Sequence, residues 1–572
     1  MAGTDVSIAF VGSGGAGVLT AGGMLLEAAC TAGWHGFFTR SVGAQIRGGE
    51  AAAMVRLAPH PIDCHSDCFD LLIGIDWNNA QRFEAEIPLA PHSLVIGDPR
   101  GGDPPQNVAS AGARVAAVAF KDMIKAQPAW RANMIALGIA AKLIGLSPDA
   151  VRAVLGKRFG AKGPAAIETN LAAVNAGAAA AELDLGRSLT APVKTDAKRW
   201  LISGNEAAAL GAVRGGVRFA AAYPITPATD ILEWLASNLA RVGGVMLQAE
   251  DELASINMII GASYGGTPAL TATSGPGLSL MVEALGLATA AEIPIVVVDV
   301  MRGGPSTGIP TKAEQGDLNI AVYGVHGDAP RLVLAPQSVS DCVFTAQWSV
   351  YLAEALQVPA IVLSDQLIGQ AQAAIERPAD LAFIGERLRV RDIAAPYQRY
   401  ALGGAGVSPM AIPGTLRGQY TADGLTHTVC GIPTGSASDH RAQLDKRRDK
   451  LETFNYGAHW ATLEGEGELA VICWGSLTGV VREAIARARA EGVAVRLVAP
   501  RLIAPVRPKE MAAALTGVRK ALIVEQSHGA QFHRYLKAHY ELPEQVRVLH
   551  APGPLPLRPG EIHRALMDWR NA

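Results

Sequence analysis

Residues 294–300 read PIVVVDV, a short apolar run rich in β-branched residues that ends at a glycine-rich turn. Six similar runs stand elsewhere in the chain, each ahead of a stretch with helical character: VSIAFVG (6–12), LLIGID (71–76), SLVIGD (93–98), PAIVLSD (359–365), LAVICWG (469–475) and ALIVEQ (521–526). Near-continuous apolar strands that alternate with helices indicate parallel sheets covered on both faces. The sequence therefore predicts an α/β protein in which this arrangement recurs about three times.

Composition sets the scale and excludes two protein classes. The chain has 572 residues, and at about 150 residues per domain this length predicts three to four domains. Its 50 Lys and Arg against 52 Asp and Glu give a net charge of -2, which provides no field for binding a polyanion. A hydrophobic fraction of 49% and a charged fraction of 18% favour compact domains over intrinsic disorder.

The cysteines and the amino terminus indicate an intracellular protein. Of six cysteines, only Cys64 and Cys68 are close in sequence, so no disulfide framework is expected. These two are either soft metal ligands or ordinary reduced thiols, and no second cluster completes a metal site. The first residues lack a basic region followed by an apolar one, and the longest apolar run, 293–301, is far shorter than a membrane span. We expect a soluble, cytoplasmic protein.

Changes in periodicity divide the chain into five segments. The first domain covers 1–185, and polar, Gly- and Pro-containing residues 186–198 form a linker. A second series of strands and helices covers 199–375. Residues 376–464 are charged and interrupted by Pro and Gly, which predicts a connector that contains one exposed helix at HRAQLDKRRDKLETF (440–454). A last α/β unit covers 465–572.

The sequence GSGGAG at 12–17 follows a strand and opens a helix, as a dinucleotide fingerprint does. However, no acidic residue that could hold a ribose occurs from Trp34 to Gly49. A glycine turn here is therefore either a nucleotide site or plain packing of strand against helix. Arg47, ahead of a Gly48-Gly49 turn, faces a phosphate, a partner subunit or solvent.

Three motifs between 223 and 311 carry the chemistry. In Tyr223-Pro224-Ile225-Thr226-Pro227, two prolines restrict the backbone around the hydroxyl of Thr226, which predicts either a rigid ligand anchor or a helix start. Glu250 is the first of three consecutive acids and stands at the carboxyl end of an apolar run. Ligands of α/β sheets bind at that position, although acids at a helix start are commonly solvated.

The third motif is a loop with one cation among glycines, prolines and hydroxyls. It begins at Arg302, continues through Ser306 and Thr307, and ends near Thr311. A guanidinium can bind a carboxylate through two parallel hydrogen bonds, while the hydroxyls supply neutral donors. The loop therefore predicts an anion site, with an arginine paired to a buried acid as the alternative.

Taken together, four ordered motifs resemble the alpha subunit of 2-oxoacid:ferredoxin oxidoreductases, most closely those acting on 2-oxoglutarate: YPITP (223–227), AED (249–251), TATSGPGLSLM (271–281) and RGGPSTGIPTKAEQGDL (302–318). The amino-terminal segment is similar to the family's gamma component, fused ahead of alpha. The last segment is similar to a transketolase carboxyl-terminal domain. The resemblance thus implies a gamma-type domain, a thiamine diphosphate pyrimidine-binding domain, a connector and a transketolase-like domain.

The resemblance also implies an activity: oxidative decarboxylation of 2-oxoglutarate to succinyl-CoA, with coenzyme A as co-substrate and electrons passed to ferredoxin. Glu250 would bind N1′ of the thiamine diphosphate pyrimidine in an apolar site, with Tyr223, Pro224 and Ile225 beside the cofactor. By the same comparison, Thr226 and Arg302 would hold the 2-oxoacid, and Thr311 would complete the pocket.

The chain lacks a GDG segment followed by Asn, and it lacks a cysteine set for a cubane cluster. The resemblance places the diphosphate grip, Mg²⁺ and a [4Fe-4S] cluster on a separate beta subunit, in an (alpha-beta)₂ assembly. Two alternatives stay open: the same chemistry on pyruvate or on a branched-chain or aryl 2-oxoacid, and a non-catalytic nucleotide-binding or assembly subunit.

Overall fold

The computed structural model describes residues 5–43, 49–78, 80–186, 192, 199–390, 392–393 and 396–571. Arg47, Gly48 and most of the predicted linker at 186–198 lie outside these ranges. Contacts divide the chain into two compact units, one comprising 1–203 with 370–378 and the other comprising 204–369 with 379–572.

Strands and helices alternate along the chain, as the apolar runs predicted. The strands are β1 (Val6–Ser13), β2 (His35–Val42), β3 (Glu50–Ala58), β4 (Leu71–Gly74), β5 (Leu94–Gly97), β6 (Arg114–Ala117), β7 (Arg199–Ser203), β8 (Phe219–Ala222), β9 (Val245–Gln248), β10 (Ala269–Thr273), β11 (Val296–Met301), β12 (Leu332–Leu334), β13 (Ala360–Asp365), β14 (Gln372–Glu376), β15 (Ala461–Glu464), β16 (Leu469–Ile472), β17 (Val495–Pro500), β18 (Leu502–Ala504), β19 (Lys520–Glu525) and β20 (Gln545–His550).

The helices that separate these strands are α1 (Val18–Thr31), α2 (Gln106–Ser110), α3 (Phe120–Ala126), α4 (Ala132–Leu143), α5 (Pro148–Phe159), α6 (Pro164–Ala180), α7 (Gly204–Gly215), α8 (Thr229–Asn238), α9 (Glu252–Tyr264), α10 (Gly275–Ala290), α11 (Leu318–Tyr323), α12 (Val339–Leu356), α13 (Gln366–Gln370), α14 (Ala437–Glu452), α15 (Leu477–Ala490), α16 (Pro508–Ala514), α17 (Gln531–His539) and α18 (Pro559–Asn571).

The sheet of the first unit is only half parallel. Its strand order is β6-β5-β4-β1-β3-β2-β14-β7. Strands β6, β5, β4 and β1 are parallel, whereas the pairs from β1 through β3, β2 and β14 to β7 are antiparallel. The prediction of parallel sheets was thus wrong for half of this sheet, because β2 follows β1 through a helix but β3 turns directly back on β2.

The second unit confirms the prediction of parallel sheets. One sheet has the order β18-β12-β13-β11-β10-β8-β9, with only the edge strand β18 antiparallel to its neighbour. The other has the order β15-β17-β16-β19-β20, with only β15 antiparallel. Both sheets are covered on both faces, since their central strands are buried along their whole length.

Two of the predicted domain boundaries differ from the contacts. Strands β7 and β14 pair with each other and lie in the first unit, although the sequence placed 199–375 in a second domain. Strand β15, at the end of the predicted connector, pairs with β17 of the last sheet. The division into five segments otherwise stays a prediction.

Helix α14 is not the exposed helix that its charged sequence predicted, because one of its faces is buried. Lys446 Nζ lies 2.9 Å from one carboxylate oxygen of Glu292, and Lys450 Nζ lies 3.4 Å from the other. Arg399 lies 3.9 Å from the same carboxylate and donates a hydrogen bond to the Glu292 carbonyl. Burial alone would raise the pKa of Glu292, but the three cations outweigh it and hold that pKa at about 2.

This cluster predicts that Glu292→Gln destabilises the chain. The change removes the anion that three buried cations face, and breaking such a pair costs about 3–5 kcal/mol of unfolding free energy. Because the folded pKa of Glu292 is below its ordinary value of 4.5, its contribution is present above pH 4.5 and is lost as the pH falls toward 2. Urea unfolding followed by circular dichroism measures both effects.

Glu452→Gln is the matched control, because Glu452 also lies on α14 but pairs with Arg448 in an exposed position. We expect it to change the unfolding free energy by less than about 1 kcal/mol. Equal urea midpoints for the Glu292 and Glu452 variants would contradict the role given to the cluster.

Candidate active site

Four adjacent parallel strands end in the four motifs that the sequence singled out. In the order β11-β10-β8-β9, they are followed by Arg302, by Ser274, by the YPITP turn at 223–227 and by Glu250. Carboxyl ends of parallel strands meet at one edge of a sheet, and this edge is where α/β proteins bind ligands. The structure therefore brings these four motifs to the same edge.

The turn 223–227 and Glu250 are neighbours because their strands are paired. Ala222 is in register with Gln248, and the Ala249 N–H donates to the Ala222 carbonyl at 3.0 Å. Tyr223 and Glu250 thus leave the sheet side by side. Tyr223, like Glu250, is exposed in this chain, so the apolar surroundings predicted for the Glu250 carboxyl are not supplied by this chain.

The three consecutive acids have three different environments. Glu250 is exposed at the strand end. Asp251 caps α9 by accepting a hydrogen bond from the Ala254 N–H at 2.7 Å. Glu252 is only 7% exposed and packs against Gly277 at the start of α10. The expectation that such a run is solvated was therefore wrong for Glu252, because the close approach of α10 covers it.

Arg302 and Thr226 are in direct contact. The buried guanidinium of Arg302 donates through Nη1 to the Thr226 carbonyl at 2.6 Å. Its Nε is also buried and has no hydrogen-bond partner among the described residues. Burial lowers the pKa of Arg302. One N–H of this buried cation is therefore left without a partner among the described residues.

Asn205 supports this contact through the YPITP turn, and no sequence motif pointed to it. Its side-chain amide is buried and donates to the Pro227 carbonyl at 2.8 Å. The asparagine lies at the start of α7, where nothing in its surroundings distinguishes it from a helix-start residue. It fixes the turn that presents Thr226 to Arg302.

The loop after Arg302 folds back on itself. The Gly303 N–H donates to the Lys312 carbonyl at 3.0 Å, and the Ile309 N–H donates to the Gly303 carbonyl at 2.8 Å. Thr311 is half-buried and stands next to the residue that bonds Gly303. The loop ends are therefore close, but within the described residues the Thr311 side chain makes no hydrogen bond to Arg302 or Thr226.

Two buried glutamines fasten this loop to the last sheet. The Gln315 N–H donates to the Gln526 carbonyl at 2.7 Å, and the Gln526 N–H donates to Gln315 Oε1 at 3.0 Å. The Gln315 amide also donates to the Trp474 carbonyl at 2.9 Å. Because Gln526 follows β19 and Trp474 follows β16, the carboxyl ends of this sheet hold the Arg302 loop in place. The sequence did not identify either glutamine.

In the first unit, side chains of the protein itself contact both ends of the glycine turn 12–17. Asp76 accepts hydrogen bonds from the Ser13 N–H at 3.0 Å and from the Ser13 hydroxyl at 2.9 Å. Asn133 packs against Gly17 and leaves no room for a Cβ there. A carboxylate at the start of α1 opposes a phosphate, so these contacts favour the packing interpretation.

The cysteine pair of the first unit has ordinary polar neighbours. Cys64 accepts a hydrogen bond from Arg56 through its carbonyl at 3.0 Å, and Cys68 Sγ lies 3.7 Å from His92 Nε2. Within the described ranges, no group of three or more His, Cys, Asp or Glu side chains could hold a metal ion. In the same part of the chain, none of the helices has both the length and the hydropathy needed to cross a lipid bilayer.

The family comparisons cover both units. Residues 7–180 match the family described as pyruvate ferredoxin/flavodoxin oxidoreductase. Residues 210–446 match the thiamine diphosphate-binding family of pyruvate flavodoxin/ferredoxin oxidoreductases. The second match includes the four sheet-edge motifs.

Individual relatives were found among known proteins and solved structures. The 2-oxoglutarate synthase subunit KorA of Methanothermobacter marburgensis is 36% identical over 64% of this chain and 96% of its own length. The 2-oxoglutarate oxidoreductase subunit KorA of Mycobacterium tuberculosis is 37% identical over 64% of this chain and 57% of its own length. A structure of 2-oxoglutarate:ferredoxin oxidoreductase from Magnetococcus marinus, with 2-oxoglutarate, coenzyme A and succinyl-CoA bound, is 34% identical, with a TM-score of 0.91 over 99% of both chains.

The packing around Gly277 predicts that Gly277→Ala destabilises the second unit. A Cβ at this position would collide with Thr273 Oγ1 and lie 2.7 Å from Glu252 Cγ. Overpacking of this kind costs about 1–3 kcal/mol of unfolding free energy. Gly261→Ala in α9 is the control, because a Cβ there meets nothing within 4 Å, and it should be neutral or stabilise by up to about 1 kcal/mol. Urea unfolding of both variants measures this difference in unfolding free energy. Equal unfolding free energies for Gly277→Ala and Gly261→Ala would contradict the prediction.

Proposed function

Because the chain belongs to the 2-oxoacid:ferredoxin oxidoreductase family, we propose that it is the catalytic subunit of an enzyme acting on 2-oxoglutarate. In the proposed reaction, 2-oxoglutarate and coenzyme A give succinyl-CoA and CO₂, and two electrons pass singly to ferredoxin. The names of the relatives and the ligands of the Magnetococcus marinus structure support this choice of substrate.

The observation that carries the proposal is that only part of the Arg302 guanidinium has a hydrogen-bond partner among the described residues. Nη1 binds the Thr226 carbonyl, while the buried Nε lacks a partner among the described residues. An unpaired N–H of a buried cation is costly, and a carboxylate that accepts from two parallel N–H groups removes that cost. We infer that the carboxylate of the 2-oxoacid binds Arg302 at this edge, with Thr226 and Thr311 beside it.

The residues at the ends of β8 and β9 fit the pyrimidine half of thiamine diphosphate. Glu250 would hold N1′, and the adjacent Tyr223, Pro224 and Ile225 would flank the ring. When bound, thiamine diphosphate supplies the nucleophilic carbon and the electron sink that decarboxylation of a 2-oxoacid requires. Glu250 would act on the basicity of the cofactor, since a carboxyl group at N1′ favours the tautomer in which the 4′ nitrogen is a base.

A second polypeptide would complete this site. Large apolar side chains are exposed on the strand that leads to Glu250 and on the two helices that follow: Val245, Leu247, Leu253, Met258 and Leu280. Exposed apolar side chains of this number mark protein interfaces. We propose that a beta subunit covers them, supplies the apolar surroundings that Glu250 lacks here, and carries the diphosphate grip, Mg²⁺ and a [4Fe-4S] cluster in a cytoplasmic (alpha-beta)₂ assembly.

Of the alternatives, the non-catalytic nucleotide-binding subunit is disfavoured by Asp76, which occupies the turn at 12–17. Pyruvate and branched-chain or aryl 2-oxoacids share the carboxylate that Arg302 would bind, so a direct comparison must separate them. The test is to purify the chain with its partner subunit and to follow reduction of an artificial dye with a panel of 2-oxoacids and coenzyme A. We expect the highest kcat/KM for 2-oxoglutarate; no reduction with any 2-oxoacid would refute the proposal.

For Glu250, we predict that Glu250→Gln leaves folding and subunit association intact and lowers kcat about 100-fold or more. The amide keeps the size of the side chain but removes the acidic group from N1′. Glu233→Gln, an exposed change on α8, is the control and should retain full turnover. Normal turnover of the Glu250 variant in a thiamine-replete assay would reject the assigned role.

For Arg302, we predict that Arg302→Ala raises KM for the 2-oxoacid by about 10-fold to 100-fold, the effect of a lost charge-assisted hydrogen bond. Arg302→Lys keeps the charge but not the paired N–H groups, so its KM should lie between those of the unaltered enzyme and the Arg302→Ala variant. Steady-state kinetics on the purified complex measure both, with thermal unfolding as a check on folding. An unchanged KM for every 2-oxoacid would make Arg302 a purely structural residue.

A further inference from the structure

The carboxyl groups of Asp299 and Asp317 act electrostatically on Arg302, and no role was predicted for either of them from the sequence. Asp299 stands on β11, three residues before Arg302, and is fully buried. Asp317 stands at the end of the Arg302 loop, immediately before α11. Within the described residues, both Asp299 carboxyl oxygens and one of Asp317 lack a hydrogen-bond donor.

The two carboxyl groups lie close enough to interact with each other. Carboxylates accept hydrogen bonds and donate none, so two ionised groups in contact would both remain unsatisfied. One proton on either group would donate a hydrogen bond to an oxygen of the other and would remove the repulsion between two like charges. A carboxylic acid at one of the two positions would therefore pair two of the three unsatisfied oxygens.

The charges that face the pair lead to the same conclusion. Arg302 is the cation that acts on both groups, and Glu314 adds a further negative charge near Asp317. Two ionised carboxylates against one guanidinium would leave a net negative charge buried, whereas one shared proton leaves one charge of each sign. Burial and the neighbouring carboxyl raise the pKa of Asp299 well above its ordinary range, and burial raises that of Asp317 to about 6.

In the part of the chain that the structure describes, the elements around the pair add no second cation. Gly275 opens α10 against Asp317, where a Cβ would lie 2.6 Å from Oδ2. Glu252 packs against Gly277 in the same helix turn. On the neighbouring strand, the carboxylate of Asp365 accepts from the Ile368 N–H at 2.9 Å. Among the described side chains, Arg302 is thus the cation that acts electrostatically on both carboxyl groups.

We propose that Asp299 and Asp317 share one proton at neutral pH and that their remaining negative charge positions the Arg302 guanidinium for the substrate carboxylate. The positioning of Arg302 for a substrate rests on the proposed function, whereas the shared proton does not. The charge of the pair acts on Arg302 electrostatically, while the Thr226 carbonyl holds Nη1 by a hydrogen bond. Asp299 and Asp317 are positioning residues, since both act through Arg302.

Amide substitutions test the shared charge. Asp299→Asn and Asp317→Asn each keep one carboxylate and add an N–H donor, so either single variant should keep KM for 2-oxoglutarate within about threefold of the unaltered enzyme. The double variant has no negative charge, and its KM should rise about tenfold or more while kcat stays nearly constant. Single effects that simply add up to the double effect would overturn the positioning role.

Asp365→Asn is the matched control, because it removes a fully buried carboxylate from the adjacent strand that does not contact Arg302. It should lower thermal stability without changing KM. An equal rise in KM for this variant and for the double variant would assign the effect to general loss of packing and overturn the inference.

Infrared difference spectroscopy of the purified complex tests the proton without any turnover. The unaltered protein should show a protonated carboxyl band at pH 7 that either single amide variant lacks, and the band should grow as the pH falls below about 6. Turnover of 2-oxoacids without this band overturns the inference alone. If the band is present but no 2-oxoacid is turned over, the proposed function is overturned, and the positioning role is overturned with it. The shared proton would then be the part of the inference that stands.

Discussion

Parallel pairing of β11, β10, β8 and β9 is the constraint on which the candidate site depends. Because hydrogen bonds between parallel strands align their directions, every carboxyl end faces the same edge. Arg302, Thr226 and Glu250 are separated by up to 76 positions in sequence, yet each lies just after the carboxyl end of one of these strands. The register also decides which motifs touch: the Ala222 pairing with Gln248 puts the YPITP turn beside Glu250.

Buried charges join the segments around this sheet. Glu292 follows α10 and receives Lys446 and Lys450 from α14, a helix that comes about 150 residues later. A second fully buried pair, Arg387 with Glu354, ties the segment after β14 to α12 at 2.8 Å. Buried ion pairs contribute little net stability but penalise wrong arrangements strongly. Arg387 and Arg399, which lie in a segment with few strands and helices, are thereby attached to α12 and to Glu292 after α10.

The sequence was sufficient for features that depend on local patterns. Apolar runs located the strands of the second unit, and short motifs located Thr226, Glu250 and Arg302. It failed where contacts are distant: the pairing of β14 with β2 joins remote parts of the chain, and Asn205, Gln315 and Gln526 look like ordinary polar residues until the fold places them. Charged residues also led to wrong predictions: the acidic triplet and the basic helix α14 were both expected to be solvated, although Glu252 and Lys450 are buried.

The short strand β18 has a consequence for the behaviour of the chain in solution. It leaves the last sheet after β17 and adds to the edge of β12 by pairing of Leu502 and Ala504 with Leu334 and Val333. An uncovered edge strand is a template for intermolecular pairing and aggregation. Here the new edge is only three residues long and is followed by Pro505, which has no N–H to donate. By pairing with β12, strand β18 thus covers an edge that could otherwise pair with another chain in fibrillar or edge-to-edge association.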